Sequence, residues 1–136
     1  MKKVCLAIKY REDLSNRQLI EDISGSLSNM DFKVTVIARD FEKWGKFQFT
    51  AEKLMDLTFQ NIESADALIV EFSEKGVGLG IDAGYSYSKG VTIIVLAKKG
   101  SHISNTLSGI ATEVLFYTNP KKLPKIDLNR ISKLTQ

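Results

Sequence analysis

The chain has 136 residues, of which 43% are hydrophobic, and this is the size and composition of one ordinary globular domain, residues 1–136. Its formal net charge of +3 is too small to indicate a nucleic-acid partner, and no apolar stretch is long enough to span a membrane. Cys5 is the only cysteine, which excludes an intrachain disulfide and is typical of a cytoplasmic protein.

Strand-like and helix-like segments alternate along the chain. Apolar runs of strand length occupy residues 4–8, 32–37, 66–71, 91–96 and 114–117. Helical spacing and capping residues predict helices that begin near Asp13 or Ser15, at Thr50, near Ile81 and before Leu107. A last helix is predicted to begin at Asp127 and to carry Leu128, Ile131 and Leu134, whereas residues 39–48 are predicted to form a polar and aromatic loop.

This alternation predicts an α/β fold with a parallel sheet between two helical layers. We expect a flavodoxin-like three-layer sandwich with five strands in the order 2-1-3-4-5. In such sheets, ligands bind at the carboxyl ends of the strands where the strand order reverses. The predicted crevice therefore lies between the loop after Ile8 and the loop after Glu71.

A carboxylate and a glycine-rich segment meet at this predicted crevice. Glu71 ends the third strand, and Gly78, Gly80 and Gly84 surround Asp82. The pattern predicts a glycine loop, a helix over residues 81–88, and two carboxylates that face one crevice and divide the roles of acid and nucleophile. The alternative is that Asp82 only favours the helix dipole and that Glu71 is solvated.

No cofactor and no metal ion are predicted. The glycine spacing differs from that of dinucleotide sites and follows the third strand instead of the first. His102 is the only histidine, and with one distant cysteine it supplies too few metal ligands.

Polar residues in other loops are candidates for substrate binding. With the glycines Gly78 and Gly80, the candidates are Ile8, Tyr10, Arg11, Arg17, Ser104 and Asn105. Hydroxyl, amide and guanidinium groups bind phosphates and sugar hydroxyls, but exposed loops and helix caps contain the same residues. The aromatic residues Trp44, Phe47 and Phe49 are typical of a lid, a local apolar patch or a subunit contact.

The segments Ser64-Ala65-Asp66-Ala67-Leu68-Ile69-Val70-Glu71 and Gly78-Leu79-Gly80-Ile81-Asp82-Ala83-Gly84-Tyr85 resemble the nucleoside 2-deoxyribosyltransferase superfamily. The nearest branch is that of the 2′-deoxynucleoside 5′-phosphate N-hydrolases, which Arg11-Glu12-Asp13 and Ser104 also resemble. This resemblance implies a homodimer with shared sites, in which Asp82 is the nucleophile, Ser104 binds the 5′-phosphate in the neighbouring subunit, and Arg11 or Arg17 assists by charge.

The resemblance implies hydrolysis or transfer at the N-glycosidic bond of a (deoxy)nucleoside or its 5′-monophosphate. From the spacing of Glu71 and Asp82 and the glycines between them, we expect Glu71 to orient Asp82 or to contact the sugar hydroxyls. Three positions depart from the family pattern: Asp82 replaces a glutamate, Thr58 replaces an aspartate, and Val4 and Cys5 occupy the region of a first-strand tyrosine. These departures leave open a catalytically degenerate nucleotide-binding module. An interaction protein that uses Trp44, Phe47 and Phe49 is a further alternative.

Overall fold

The computed structural model describes residues 1–130, which form one sheet and the helices around it. Five strands form the sheet: β1 (Lys2–Ile8), β2 (Phe32–Thr35), β3 (Ala67–Glu71), β4 (Thr92–Lys98) and β5 (Glu113–Tyr117). The helices that lie wholly within residues 1–130 are α1 (Arg17–Ser28), α2 (Ile37–Asp40), α3 (Ala51–Glu63), α4 (Val77–Ser88) and α5 (Asn105–Ile110).

The sheet is entirely parallel, with the order β2-β1-β3-β4-β5. This confirms the predicted fold class and strand order. The central strand β3 is buried along its whole length, as expected for a parallel strand that helices cover on both faces. Ile8, the last residue of β1, pairs with Glu71, the last residue of β3, so that both chains leave the sheet at the same edge.

Side-chain alternation divides the interior into two cores. One face of β3 directs Ala67, Ile69 and Glu71 toward α1 and the C-terminal segment, whereas the other directs Leu68 and Val70 toward α3, α4 and α5. Each layer of helices buries its own cluster of aliphatic side chains against one face of the sheet. The three layers are therefore held together mainly by apolar burial.

The helix α4 begins earlier than the sequence predicts. It starts at Val77 with Gly76 as its N-cap, so Gly78 and Gly80 lie in the helix and not in a loop. The buried residues Leu79, Ala83 and Ser86 are spaced as one helical face. Because Leu79 is part of this buried face, the helix includes Gly78 and Gly80 on either side of it. Asp82 consequently lies in the second turn of α4, not at its start.

Two other boundaries also differ from the predictions. Helix α1 begins at Arg17, and its N-cap Asn16 makes no side-chain capping bond. The predicted loop over residues 39–48 contains the end of α2, in which the Val36 N–H donates to Asp40 Oδ2 at 2.8 Å. The predicted cap of α3 is confirmed, because Thr50 Oγ1 accepts a hydrogen bond from the Lys53 N–H at 3.2 Å.

The last predicted helix is described only at its beginning. Asp127 Oδ1 accepts a hydrogen bond from the Arg130 N–H at 3.2 Å, as a helix cap does. Ile131 and Leu134 lie outside the described residues. Within residues 1–130, no helix is long and apolar enough to cross a membrane.

We expect Ile94→Ala to lower the free energy of unfolding by about 2–5 kcal/mol, because Ile94 on β4 is fully buried. Urea denaturation measures the change. The control is Leu14→Ala, because Leu14 is 42% exposed and its truncation should change stability by less than about 1 kcal/mol. Equal losses in the two variants would contradict this description of the core.

Candidate functional site

A pocket of about 390 Å³ opens beside the carboxyl end of β1. The helices α3 and α4 and the segment around α2 form its other walls. Most of its lining is apolar, and its polar or titratable side chains are those of Cys5, Lys9, Tyr10, Thr35, Glu42, Thr58, Asn61 and Asp82. A pocket of this size and character is typical of a small-molecule site.

Asp82 lies in this pocket without a partner. Its carboxylate makes no hydrogen bond and no ion pair with any residue in the range 1–130, whereas its backbone carbonyl accepts a bond from Ser86 Oγ at 2.8 Å. Burial raises the pKa of Asp82 to about 6. The packing of α4 holds the Asp82 carboxylate in place, and no cation of residues 1–130 pairs with it. Such a carboxylate is available for chemistry or for a ligand.

Glu42 is a second carboxylate in the same pocket, and the sequence analysis missed it. Burial raises the pKa of Glu42 above its ordinary value. It lies in the loop between α2 and α3, where no hydrophobic period indicates which side chains point inward. Its position depends on a turn with positive φ angles, which the residues Lys43 and Trp44 do not signal in sequence.

Three other polar groups of the pocket are neutral or already bonded. Burial raises the pKa of the Cys5 thiol to about 11, so that the thiol is protonated and weakly nucleophilic at neutral pH. Thr58 Oγ1 donates to the Leu54 carbonyl, and Asn61 Nδ2 donates to the Leu57 carbonyl, both at 2.8 Å. The two carboxylates therefore dominate the chemistry of this pocket.

The structure does not bring Glu71 and Asp82 together, contrary to the prediction that they face one crevice. Glu71 is 3% exposed and accepts hydrogen bonds from the Ser73 N–H at 2.5 Å and from the Tyr117 hydroxyl at 3.1 Å. It lines a separate polar pocket of about 230 Å³ that includes Lys98. The reason is strand alternation, because Glu71 points to the face of β3 away from α4.

Of the predicted binding residues, Ile8, Tyr10 and Gly78 line the pocket that contains Asp82. Arg11 is exposed and forms an ion pair with Glu74. The Arg17 guanidinium lies 4.6 Å from the centroid of the Trp44 ring.

The remaining predicted residues lie elsewhere. Gly80 and Ser104 line a neighbouring pocket of about 480 Å³, and Asn105 is exposed at the start of α5. Ser104 caps α5, because its Oγ accepts a hydrogen bond from the Leu107 N–H at 3.3 Å. Within one chain, Ser104 and Asp82 thus face different pockets.

The N-terminus of α4 separates these two pockets, since Gly76 and Val77 line both of them. No side chain of residues 1–130 caps this end of the helix, and its first turn contains no acidic residue. Added Cβ atoms at Gly78 and Gly80 would meet no atom within 4 Å, so the glycines leave open space beside the helix. The end of α4 thus presents uncapped N–H groups and no negative charge.

No protein-family model matches the chain, and the search of curated proteins finds no similar sequence. Solved structures do share its fold. The CMP N-glycosidase of Clostridium botulinum superposes with a TM-score of 0.65 at 19% sequence identity, over 98% of both chains. A 2-deoxyribosyltransferase of Bacillus psychrosaccharolyticus superposes with a TM-score of 0.65 at 14% sequence identity, over 95% of this chain and 89% of that one.

A conserved protein from Enterococcus faecalis V583 has a TM-score of 0.66 at 14% identity, over 98% of this chain and 99% of that one. At these identities, the likeness establishes a common fold. Two of these fold neighbours are named for chemistry at the bond between a sugar and a base.

We expect Asp82→Asn to raise the free energy of unfolding at pH 8 by up to about 2 kcal/mol and to leave it nearly unchanged at pH 4. The folded protein holds the Asp82 proton more tightly than the unfolded chain does. This contribution is complete below the unfolded pKa and is lost as the pH rises through about 6. Urea denaturation at both pH values measures it, with Asp56→Asn on the exposed face of α3 as the control. An identical effect at the two pH values would contradict the burial of the Asp82 charge.

Proposed function

We propose that this protein cleaves the N-glycosidic bond of a nucleoside or its 5′-monophosphate in the pocket that contains Asp82. The observation that carries the proposal is the unpaired carboxylate of Asp82 in an apolar pocket of about 390 Å³. The fold shared with an N-glycosidase and a deoxyribosyltransferase supports it, as does the resemblance of residues 64–85 to the deoxyribosyltransferase superfamily.

Asp82 is the nucleophile in this proposal. Its ionised carboxylate attacks C1′ of the sugar, the bond from C1′ to the base nitrogen breaks, and a glycosyl ester forms. Water then attacks C1′ and releases the carboxylate, or a second base accepts the sugar in a transfer reaction. Burial supports the attack, because a poorly solvated carboxylate loses little hydration on meeting the sugar.

The walls of the pocket fit the remainder of a nucleotide. Apolar side chains and the Tyr10 ring pack against the base and the sugar. The uncapped N-terminus of α4 and the nearby Lys9 suit a 5′-phosphate, because free N–H groups at a helix start bind anions. Arg11 and Arg17 lie on the surface, where they raise the local concentration of an anionic substrate.

A nucleotide-binding module without catalysis is the second candidate. It is favoured by Thr58 and Cys5, which occupy regions where the resembled family has an aspartate and a tyrosine, and by the neutral state of both side chains. A thermal-shift screen with nucleosides and nucleotides separates the candidates. Stabilisation by a nucleotide without release of its base supports the module.

We expect the wild-type protein to release the free base from at least one member of a panel of nucleosides and 5′-monophosphates, measured by chromatography. Asp82→Asn should lower this rate at least about 1,000-fold, because an amide cannot form the glycosyl ester. Asp56→Asn is the control and should retain the wild-type rate. Unchanged activity in Asp82→Asn would remove Asp82 from the mechanism.

A homodimer is part of this proposal. The helix α4 exposes the apolar side chains of Val77 (82%) and Ile81 (47%) on the same side as Gly80 and Gly84. Glycines let a second helix approach closely. A second copy on this face would lie beside the pocket that contains Ser104, as the proposed sharing of Ser104 between subunits requires.

We expect Gly84→Glu to convert the dimer to a monomer and to lower base release, because the glutamate places a charge in the proposed contact. Analytical ultracentrifugation measures the mass. Gly25→Glu is the matched control, since Gly25 is also an exposed helical glycine where an added Cβ meets no atom within 4 Å. A wild-type protein that sediments as a monomer at micromolar concentration would contradict the proposed dimer.

A further inference from the structure

We propose that Glu42 is the general acid of this pocket and donates its proton to the departing base while Asp82 attacks the sugar. This inference rests on the proposed function and adds a second catalytic residue to it. The reason to look for one is chemical, because an ordinary nucleobase leaves poorly as an anion and cleavage is faster when it receives a proton.

Both carboxylates face the same pocket but come from different elements. Glu42 reaches it from the loop between α2 and α3, and Asp82 reaches it from α4. Neither carboxylate makes a hydrogen bond or an ion pair within residues 1–130, although most acidic side chains near a protein's interior have such a partner. A substrate between these elements would meet a nucleophile on one of them and a proton donor on the other.

Backbone hydrogen bonds hold Glu42 in place. Its N–H donates to the Ile37 carbonyl at 3.0 Å, and its carbonyl accepts from the Gly45 N–H at 2.9 Å and the Phe47 N–H at 3.0 Å. These bonds tie the loop to α2 and fix the point from which the Glu42 side chain leaves the backbone. A fixed donor is what proton transfer to a bound base requires.

The turn after Glu42 is strained. Three consecutive residues have positive φ angles: Lys43 at 48°, Trp44 at 60° and Gly45 at 91°. For residues with a side chain, this conformation is unfavourable and persists where the surroundings enforce it. Here the enforcing contacts come from Trp44, whose N–H donates to the Ala38 carbonyl at 2.8 Å and whose ring lies 6.0 Å from that of Tyr10.

The surroundings of Glu42 also favour its protonated form. Burial raises its pKa, and no cation among residues 1–130 pairs with it. The other titratable groups that face this pocket are Asp82, Cys5, Lys9 and Tyr10. Of these, Lys9 is half exposed and lies 3.9 Å from Glu74, so its charge is shared with the surface.

The proposed steps balance. As Asp82 Oδ bonds to C1′, the electron pair of the broken C1′–N bond stays on the base, which takes the proton of Glu42 and leaves neutral. Glu42 is then a carboxylate. In the second step it takes a proton from water while the hydroxyl oxygen bonds to C1′, and Asp82 is released as a carboxylate with Glu42 protonated again.

The experiment compares Glu42→Gln with wild type on two substrates that differ only in their need for a proton. For a purine substrate, the pair is the ordinary guanine nucleoside or nucleotide and its 7-methyl derivative, which leaves as a neutral base unaided. For a pyrimidine substrate, the pair is the uracil compound and its 5-nitro derivative, which leaves readily as an anion. Glu52→Gln, on the exposed start of α3, is the matched control.

We expect Glu42→Gln to lower kcat/KM about 100-fold on the ordinary substrate and less than about 3-fold on the activated one. We also expect the fall of kcat/KM with rising pH that ionisation of Glu42 causes to disappear in Glu42→Gln. Equal losses on the two substrates, or no loss on the ordinary one, would overturn the role of Glu42.

The two proposals fail in different ways. If wild type and Asp82→Asn differ as expected while Glu42→Gln matches wild type, the proposed function stands and the role of Glu42 is wrong. If wild type releases no base even from the activated substrates, the proposed function itself fails.

Discussion

The pairing of β1 with β3 is the constraint on which the remainder of the structure depends. It places Ile8 beside Glu71 at the carboxyl edge, and the alternation of side chains then decides which face of the sheet each residue serves. Glu71 faces α1 and accepts hydrogen bonds from the Ser73 N–H and the Tyr117 hydroxyl, whereas the pocket that contains Asp82 lies on the opposite face of the sheet, beside α3 and α4. A shift of β3 by one residue would exchange its two faces and would turn Glu71 toward the pocket side of the sheet.

Two carboxylates are half-buried in an apolar pocket at the expense of stability. Selection for stability alone would favour pairing these carboxylates with cations or replacing them. Elsewhere in this protein, Glu21 and Asp40 do form ion pairs, both with Arg39. Instead, α4 fixes Asp82 through the burial of Leu79 and Ala83, and a strained turn fixes Glu42. Functional sites typically combine these two properties: side chains whose burial lowers stability, and a rigid backbone that holds them in position.

The fold was predictable from sequence because it depends on repeated apolar segments. The runs at residues 4–8 and 91–96 required buried parallel strands, and no single side chain decided the strand order. The site was less predictable, because it depends on individual orientations. Asp82 was found through its glycines, but the start of α4 was misplaced and Glu71 was assigned to the wrong face. Glu42 gave no periodic signal, since its direction is set by backbone angles at Lys43 and Trp44.

The open space beside Gly78 and Gly80 has a consequence for the size of the two pockets. A methyl group at either position would meet no atom of residues 1–130 within 4 Å, so the packing within one chain does not demand glycine there. Gly78 borders one hollow and Gly80 the other. A single alanine can thus narrow either hollow separately without disturbing the packing within one chain, which makes the first turn of α4 a place where the size of the two hollows can be changed.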